Sequence, residues 1–288
     1  MIYIDSNNKL NLSKLHENQK KFVKSQYLNS GIVGGYQSGK STAGAVKVIT
    51  HLYRFPEVPI AYYLPNFRLF EDMLIPKFND LFGKIGLKYT HHKTHSKIIT
   101  DYGEIWMRSM DTPETIVSYS VGYSVIDEID RVHANKRKAA AQNIVARNSY
   151  LKRDAQGNEV PNQIDFVCTP EGFTYMYNFF VKEANDRKVL FKLKTVSNSE
   201  NLSSSYIDGL REQYTEQQLE AYLNGEFVNL TSGTVYHAFD RQTNHSDREI
   251  KPSDVLHVGM DFNITKMSAT IRVTDGLIST AVAEISNA

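Results

Sequence analysis

Between an apolar strand and a helix the chain reads GIVGGYQSGKSTAG, which sets Gly34, four residues, then Gly39, Lys40 and Ser41. That is the G-x-x-x-x-G-K-[S/T] spacing of a loop that cradles phosphate groups with its backbone amides. Glycine at 34, 35 and 39 is read as letting the backbone turn and approach an anion with no Cβ in the way. A strand leading in and a helix leading out put successive N–H groups at a helix N-terminus, where partial positive charge favours phosphate. The spacing assigns Lys40 to the β and γ phosphates and the Ser41 hydroxyl to Mg²⁺. The expected nucleotide contacts are Gly34, Gly35, Tyr36, Gln37, Ser38, Gly39, Lys40, Ser41 and Thr42. A second run, YSVIDEID, is apolar and closes on acids. It offers Asp127 to hold the Mg²⁺ water shell and Glu128 to polarise an attacking water. Glu128 is a resident base, which suits hydrolysis coupled to work better than slow switching. Asp130 is expected to cap the helix that follows.

These residues need strands that end together and helices that start there. LSKLHENQKKFVKSQYLNS has apolar residues at helical spacing with Ser13 as its N-cap, and the helix after the glycine loop stops before Pro56. PIAYYLP reads as a buried strand and FRLFEDMLIPKFNDLFGKIG as a helix interrupted or restarted at Pro76. KIITDYGEIWMRS alternates around Tyr102 and Gly103 as a hairpin would, and IDFVCTP is another apolar strand. Strands alternating with helices predict an α/β fold, a mainly parallel sheet with helices on both faces. After Pro170 the texture becomes helical around one strand, KVLFKLKTV. From GEFVNLTSGTVYHAFD onward it changes again, to VLHVGMDFN, MSATIRV and ISTAVAEI, which read as successive strands.

Composition narrows the class. The 288 residues carry 33 Lys plus Arg against 32 Asp plus Glu, so a net charge of +1 neither requires nor excludes a polyanionic partner. A single cysteine excludes a disulfide framework, and MIYIDSNNKLNLSK has neither the basic start nor the apolar run of a secretion signal. No stretch approaches the roughly 18 apolar residues of a membrane span. The expectation is a soluble protein of a reducing compartment.

Taken in order, the motifs resemble the large terminase subunit of tailed bacteriophages. HENQ with Gln19 resembles its upstream adenine-binding motif, GGYQSGKS its Walker A loop and VIDEID its Walker B strand with the catalytic Glu. CTPEG, with Cys168, Thr169 and Pro170, resembles the motif that couples hydrolysis to domain movement. NLSSSYIDGL and YLNGEFVNLTSGTVYHAFD resemble the lid and the approach to the nuclease, and VGMDFN the first acidic strand of an RNase H-like fold. The resemblance implies a P-loop NTPase of the additional-strand, RecA-like type, a three-layer sandwich over residues 1–170. A helical lid would follow over 171–230, then the first strands of an RNase H-like domain over 231–288. It implies an ATPase that uses ATP and Mg²⁺ to translocate double-stranded DNA into a procapsid. The implied partners are the small terminase subunit, the portal protein and further copies in a ring, in the host cytoplasm and transiently on the procapsid.

Two departures from the pattern matter. Many terminases carry an arginine after the second glycine of the loop, and here that position is Tyr36. An arginine from a neighbouring subunit is then the expected source of charge, with Arg131 and Arg147 as candidates. Second, an RNase H-like nuclease needs several carboxylates on separate strands to hold two metals about 4 Å apart. Asp261 would be the first ligand, for Mg²⁺ or Mn²⁺, but its companions are not in the sequence, so nuclease activity is expected only of a longer form. Arg131, Lys136, Arg137, Lys138, Arg147, Lys152 and Arg153 make one basic stretch, and KIGLKYTHHKTHSK another; either could meet a phosphate backbone or simply face solvent. His91, His92 and His95 lack zinc-ligand spacing, and Cys168 reads as a buried strand residue. The rival readings are a helicase-like or other nucleic-acid-stimulated ATPase, a nucleotide-binding scaffold without turnover, and a DNA-binding structural subunit.

Overall fold

The computed structural model describes Tyr3, Ile4 and residues 10–230, 243–262 and 267–286. The chain divides into two compact units, Met1–Thr231 and Ser232–Ala288.

In the first unit a two-stranded ribbon, β1 (Tyr3–Ile4) and β2 (Leu10–Asn11), precedes α1 (Glu17–Lys24). Then come β3 (Asn29–Gly34), α2 (Lys40–Arg54), β4 (Ile60–Leu64) and α3 (Ile75–Ile85). β5 (Tyr89–His92), β6 (Lys97–Thr100) and β7 (Gly103–Ser109) lead to β8 (Tyr123–Asp127), α4 (Ala134–Arg147) and β9 (Gln163–Cys168). A single turn, α5 (Tyr175–Tyr177), β10 (Lys188–Leu193), α6 (Tyr206–Gln213) and α7 (Glu216–Tyr222) complete it. Eight strands form one sheet in the order β10-β3-β9-β8-β4-β7-β6-β5, parallel from β10 to β7 and antiparallel over the last two steps.

The central strands β4, β8 and β9 are buried along their whole length, as strands covered on both faces must be. Their period of two divides the core. Ile60, Tyr62, Leu64, Tyr123 and Val125 face the cluster that takes in α1, α2 and α3, whereas Ala61, Tyr63 and Ile126 face the cluster that takes in α4. The result is the expected three-layer α/β sandwich. β9 lies between β3, which delivers the glycine loop, and β8, which delivers the acids: this is the additional strand.

Several local expectations need correction. α1 starts at Glu17 with His16 as its N-cap, because the residues after Ser13 are taken up by a turn that the Leu15 amide closes on Leu12 O. Asp130 does not cap α4, whose N-cap is His133; its Oδ1 accepts from the Met176 amide and so ties the start of α5 to the end of β8. The interruption at Pro76 is a π-helical turn, Phe70–Leu74, running directly into α3, whose second residue is the proline. Residues 171–230 are less separate than a lid, because β10 pairs parallel with β3 along its whole length as the edge of the main sheet.

In the second unit β11 (His257–Asp261), β12 (Ser268–Asp275) and β13 (Ile278–Ser286) form an antiparallel meander with an irregularity at Ile271 and Arg272. Of YLNGEFVNLTSGTVYHAFD, the segment expected to lead to a nuclease, residues 231–240 lie outside the described residues.

Candidate nucleotide site

The loop ends at Gly39, whose φ of 86° is left-handed and serves as the N-cap of α2. The first helical bond is Ala43 N–H to Gly39 O, so the amides of Lys40, Ser41 and Thr42 stand before it with no partner inside the helix. They border a cavity of about 480 Å³ whose wall runs from Tyr36 to Thr42 and continues through Glu128, Arg131 and Thr169. Three amides and the positive end of a helix facing one cavity are an anion site by construction.

Lys40 is buried, and its ammonium donates to Gly35 O at 2.9 Å, folded back on its own loop. Burial lowers its pKa, and the negative charges of Glu128 and Asp127 oppose that shift. Asp127 is fully buried at the end of β8 and accepts from the Tyr62 hydroxyl at 2.6 Å through Oδ2, leaving Oδ1 without a partner. Burial, then the charge of Glu128, push its pKa up to about 7. A buried carboxylate oxygen without a donor, within electrostatic reach of Lys40, fits a divalent cation: Ser41 and Asp127 are the residues that would hold Mg²⁺. Glu128 takes a left-handed conformation, φ 57°, that turns it out of the strand. Its carboxylate accepts from Thr169 Oγ1 at 2.9 Å and Thr169 N at 3.1 Å, and Arg131 Nε stands 3.5 Å away.

Some assigned residues sit elsewhere. Gly34 and Gly35 do not line the cavity. A Cβ on Gly35 would stand 2.3 Å from Tyr222 O and 2.4 Å from Thr195 Oγ1, so this glycine admits the 195–225 segment. Gln19 lies behind the loop, its Nε2 donating to Gly39 O at 2.9 Å and its Oε1 accepting from the His16 amide, so both ends of its amide are engaged by backbone rather than offered to a base. Tyr36 stacks on Tyr222 with ring centroids 4.5 Å apart. Arg131 lines its own chain's cavity and stands 3.5 Å from both Glu128 and Glu171. Arg147, at the far end of α4, borders no part of the cavity. Cys168 is buried with its thiol pKa pushed well up by burial, and donates to Thr169 O. Asp261 ends β11 exposed, and among the described residues no group of three His, Cys, Asp or Glu could hold a metal. The basic stretch is dispersed: Lys152 is buried on Gly122 O, and Arg137 bonds to the Asp130 and Val132 carbonyls.

Contacts invisible in the motifs come from the 195–225 segment. Thr195 Oγ1 donates to Tyr36 O at 2.7 Å, Asn198 Nδ2 to Gln37 O at 2.6 Å, and the Tyr36 amide to Tyr222 O at 2.7 Å.

With this geometry in place, comparison identifies the group. The profile described as "Terminase large subunit, T4likevirus-type, N-terminal" matches residues 32–243. The chain belongs to the large terminase subunit family. Solved structures agree in fold. The large terminase of a thermophilic bacteriophage, in complex with ADP, superposes with a TM-score of 0.62 at 14% identity, covering 95% of this chain and 68% of that one. The ATPase domain of the Thermus phage P74-26 large terminase gives 0.56 at 15% identity, over 75% of this chain and 94% of its own. The bacteriophage Phi-29 genome packaging motor assembly gives 0.51 at 14% identity, over 91% and 80%. No curated protein sequence matches. As a large terminase subunit, the chain falls in the class of ATPases that power viral genome packaging.

Proposed function

We propose that this terminase subunit hydrolyses ATP in the cavity between the glycine loop and Glu128, and that the cycle moves double-stranded DNA. The observation that carries the reading is the opposition, across one cavity, of the free amides of Lys40, Ser41 and Thr42 and a carboxylate aimed by a left-handed turn. Lys40 leaves the Gly35 carbonyl for the terminal phosphates, to which it is a far better donor than to a neutral oxygen. Mg²⁺ held at Ser41 and Asp127 would neutralise the charge between those phosphates. Glu128 takes the proton of the attacking water on a lone pair that its two bonds to Thr169 leave free, with Thr169 holding the carboxylate in place.

That hold supports the coupling role of Cys168, Thr169 and Pro170. It ties the base to the end of β9, and Arg131 connects the same carboxylate to Glu171 at the start of the 171–230 segment. Arg131 supplies positive charge to its own chain's site, and Arg147, which borders no part of that cavity, is the candidate left to reach a neighbour's site. A docked homo-oligomeric ring, the small terminase subunit and the portal protein are the proposed partners, in the host cytoplasm. A two-lobe helicase would need a second RecA-like lobe, whereas the described residues after 170 supply one edge strand, short helices and a three-stranded meander.

The test is ATP turnover by Glu128→Gln beside binding of the fluorescent nucleotide mant-ADP. Turnover is expected to fall by about 10²–10⁴-fold with binding retained; unchanged turnover overturns the assignment.

A further inference from the structure

The glycine loop itself contributes one cation, Lys40, because Tyr36 occupies the position after the second glycine and is stacked away on Tyr222. A second cation enters the cavity from another element. Leu69, Met73 and Lys77 are spaced by four along the π turn, its N-cap and the start of α3, and all three line the same cavity as the loop. The Lys77 ammonium donates to Thr42 Oγ1 at 3.0 Å, on the first turn of α2. Among the described residues it forms no ion pair, although Asp127 lies within its electrostatic reach. Arg131 is already bridged to two carboxylates, and Lys40 to a carbonyl. Lys77 is thus a half-buried cation on the same cavity as the amides of Lys40, Ser41 and Thr42, with a neutral hydroxyl as its hydrogen-bond partner among the described residues.

We propose that Lys77 is a phosphate-binding residue of this site, one that leaves Thr42 for the phosphate chain of a bound nucleoside di- or triphosphate. The inference rests on the nucleotide reading of the cavity. Burial lowers the pKa of Lys77, and an arriving polyanion reverses that shift by favouring the ammonium. Exchanging a hydroxyl acceptor for a phosphate oxygen converts an ordinary hydrogen bond into a doubly charged one.

The experiment measures mant-ADP binding to the full chain, with magnesium and with EDTA, for the native protein, Lys77→Met, Lys77→Arg and Lys84→Met. Lys84 lies on the same helix and is tied to Asp80, so it controls for loss of any α3 lysine. Lys77→Met is expected to weaken binding about tenfold in both buffers, the loss of one charge-assisted contact. Lys77→Arg should stay within about threefold of native and Lys84→Met should match it, as judged from the same contact energies. Equal affinity of Lys77→Met and native overturns the proposal while leaving the nucleotide site standing. Equal weakening by Met and Arg, with a lowered melting temperature in both, overturns it too, by making Lys77 a prop for α3. A native chain that binds no mant-ADP overturns the site itself.

Discussion

The residues of the site divide by how far apart in the chain their partners lie. Lys40, Ser41, Asp127 and Glu128 are legible because their chemistry is written in local spacing. Lys77 is not, since its hydroxyl partner is 35 positions away and nothing in PKFND marks a ligand. Thr169 reads in sequence only as part of a coupling segment, and its hydroxyl and amide prove to be what holds Glu128. Removing that hydroxyl leaves Glu128 free to wander. Thr169→Val is therefore expected to lower kcat about tenfold to a hundredfold, the worth of one hydrogen bond to a charged carboxylate, with the mant-ADP Kd unchanged. A loss of binding instead would show that Thr169 shapes the cavity and not the base.

A second residue-scale prediction concerns His51, which no motif singles out. It is buried on α2, stacked on Tyr123 at 3.7 Å, and its Nε2 has no partner. Burial, then the positive charges of Lys152, Lys47 and Arg54, hold its pKa well below the usual 6.5. The folded chain keeps this ring neutral while the unfolded chain protonates it, so acid favours unfolding. Stability should fall by up to about 1.4 kcal/mol per pH unit below 6.5, on top of other groups' contributions. Urea unfolding at about pH 5.5 and 7.5, either side of the unperturbed histidine value, measures it: His51→Phe, which keeps the stack, should show a shallower dependence than native by that amount. Parallel slopes would mean that the ring is protonated in place.

At the scale of elements, the sheet is legible because β4, β8 and β9 are short, mostly apolar runs bounded by turn residues, as fully covered parallel strands are. Strand order is implied only by resemblance, because nothing in IDFVCTP says that it lies between the loop strand and the acid strand. KVLFKLKTV is legible as a strand but not as part of the main sheet, since its half-exposed edge position gives it a mixed pattern. That placement gives two glycines of the loop a packing role that the sequence spacing does not show. β10 and the 195–225 segment press so closely against the loop that a Cβ on Gly225 would stand 2.7 Å from Gly34 Cα. Gly35→Ala is accordingly expected to unseat this segment, as backbone carbonyls cannot yield to a contact of 2.3 Å. Hydrogen exchange should reveal faster exchange at Tyr36 and Thr195, whose amides bond to Tyr222 O and Leu223 O. Native protection at both would refute the docking role.

For the whole molecule, the decisive contrast is where the buried apolar residues lie. Both large core clusters draw their buried members from residues 15–193, all inside the first unit. In the second unit the buried apolar residues among those described are Ala269 and Val273, too few to support a three-stranded meander by themselves. The two units should therefore differ in independence. A chain ending at residue 230 is expected to unfold in one cooperative transition and to bind mant-ADP within about threefold of the full chain, because the cavity-lining residues among those described all precede that point. Residues 232–288 alone are expected to give the circular dichroism of an unfolded peptide. A shortened chain that lost nucleotide binding would mean that the second unit contributes to the site, and the cavity would have to be redrawn to include it.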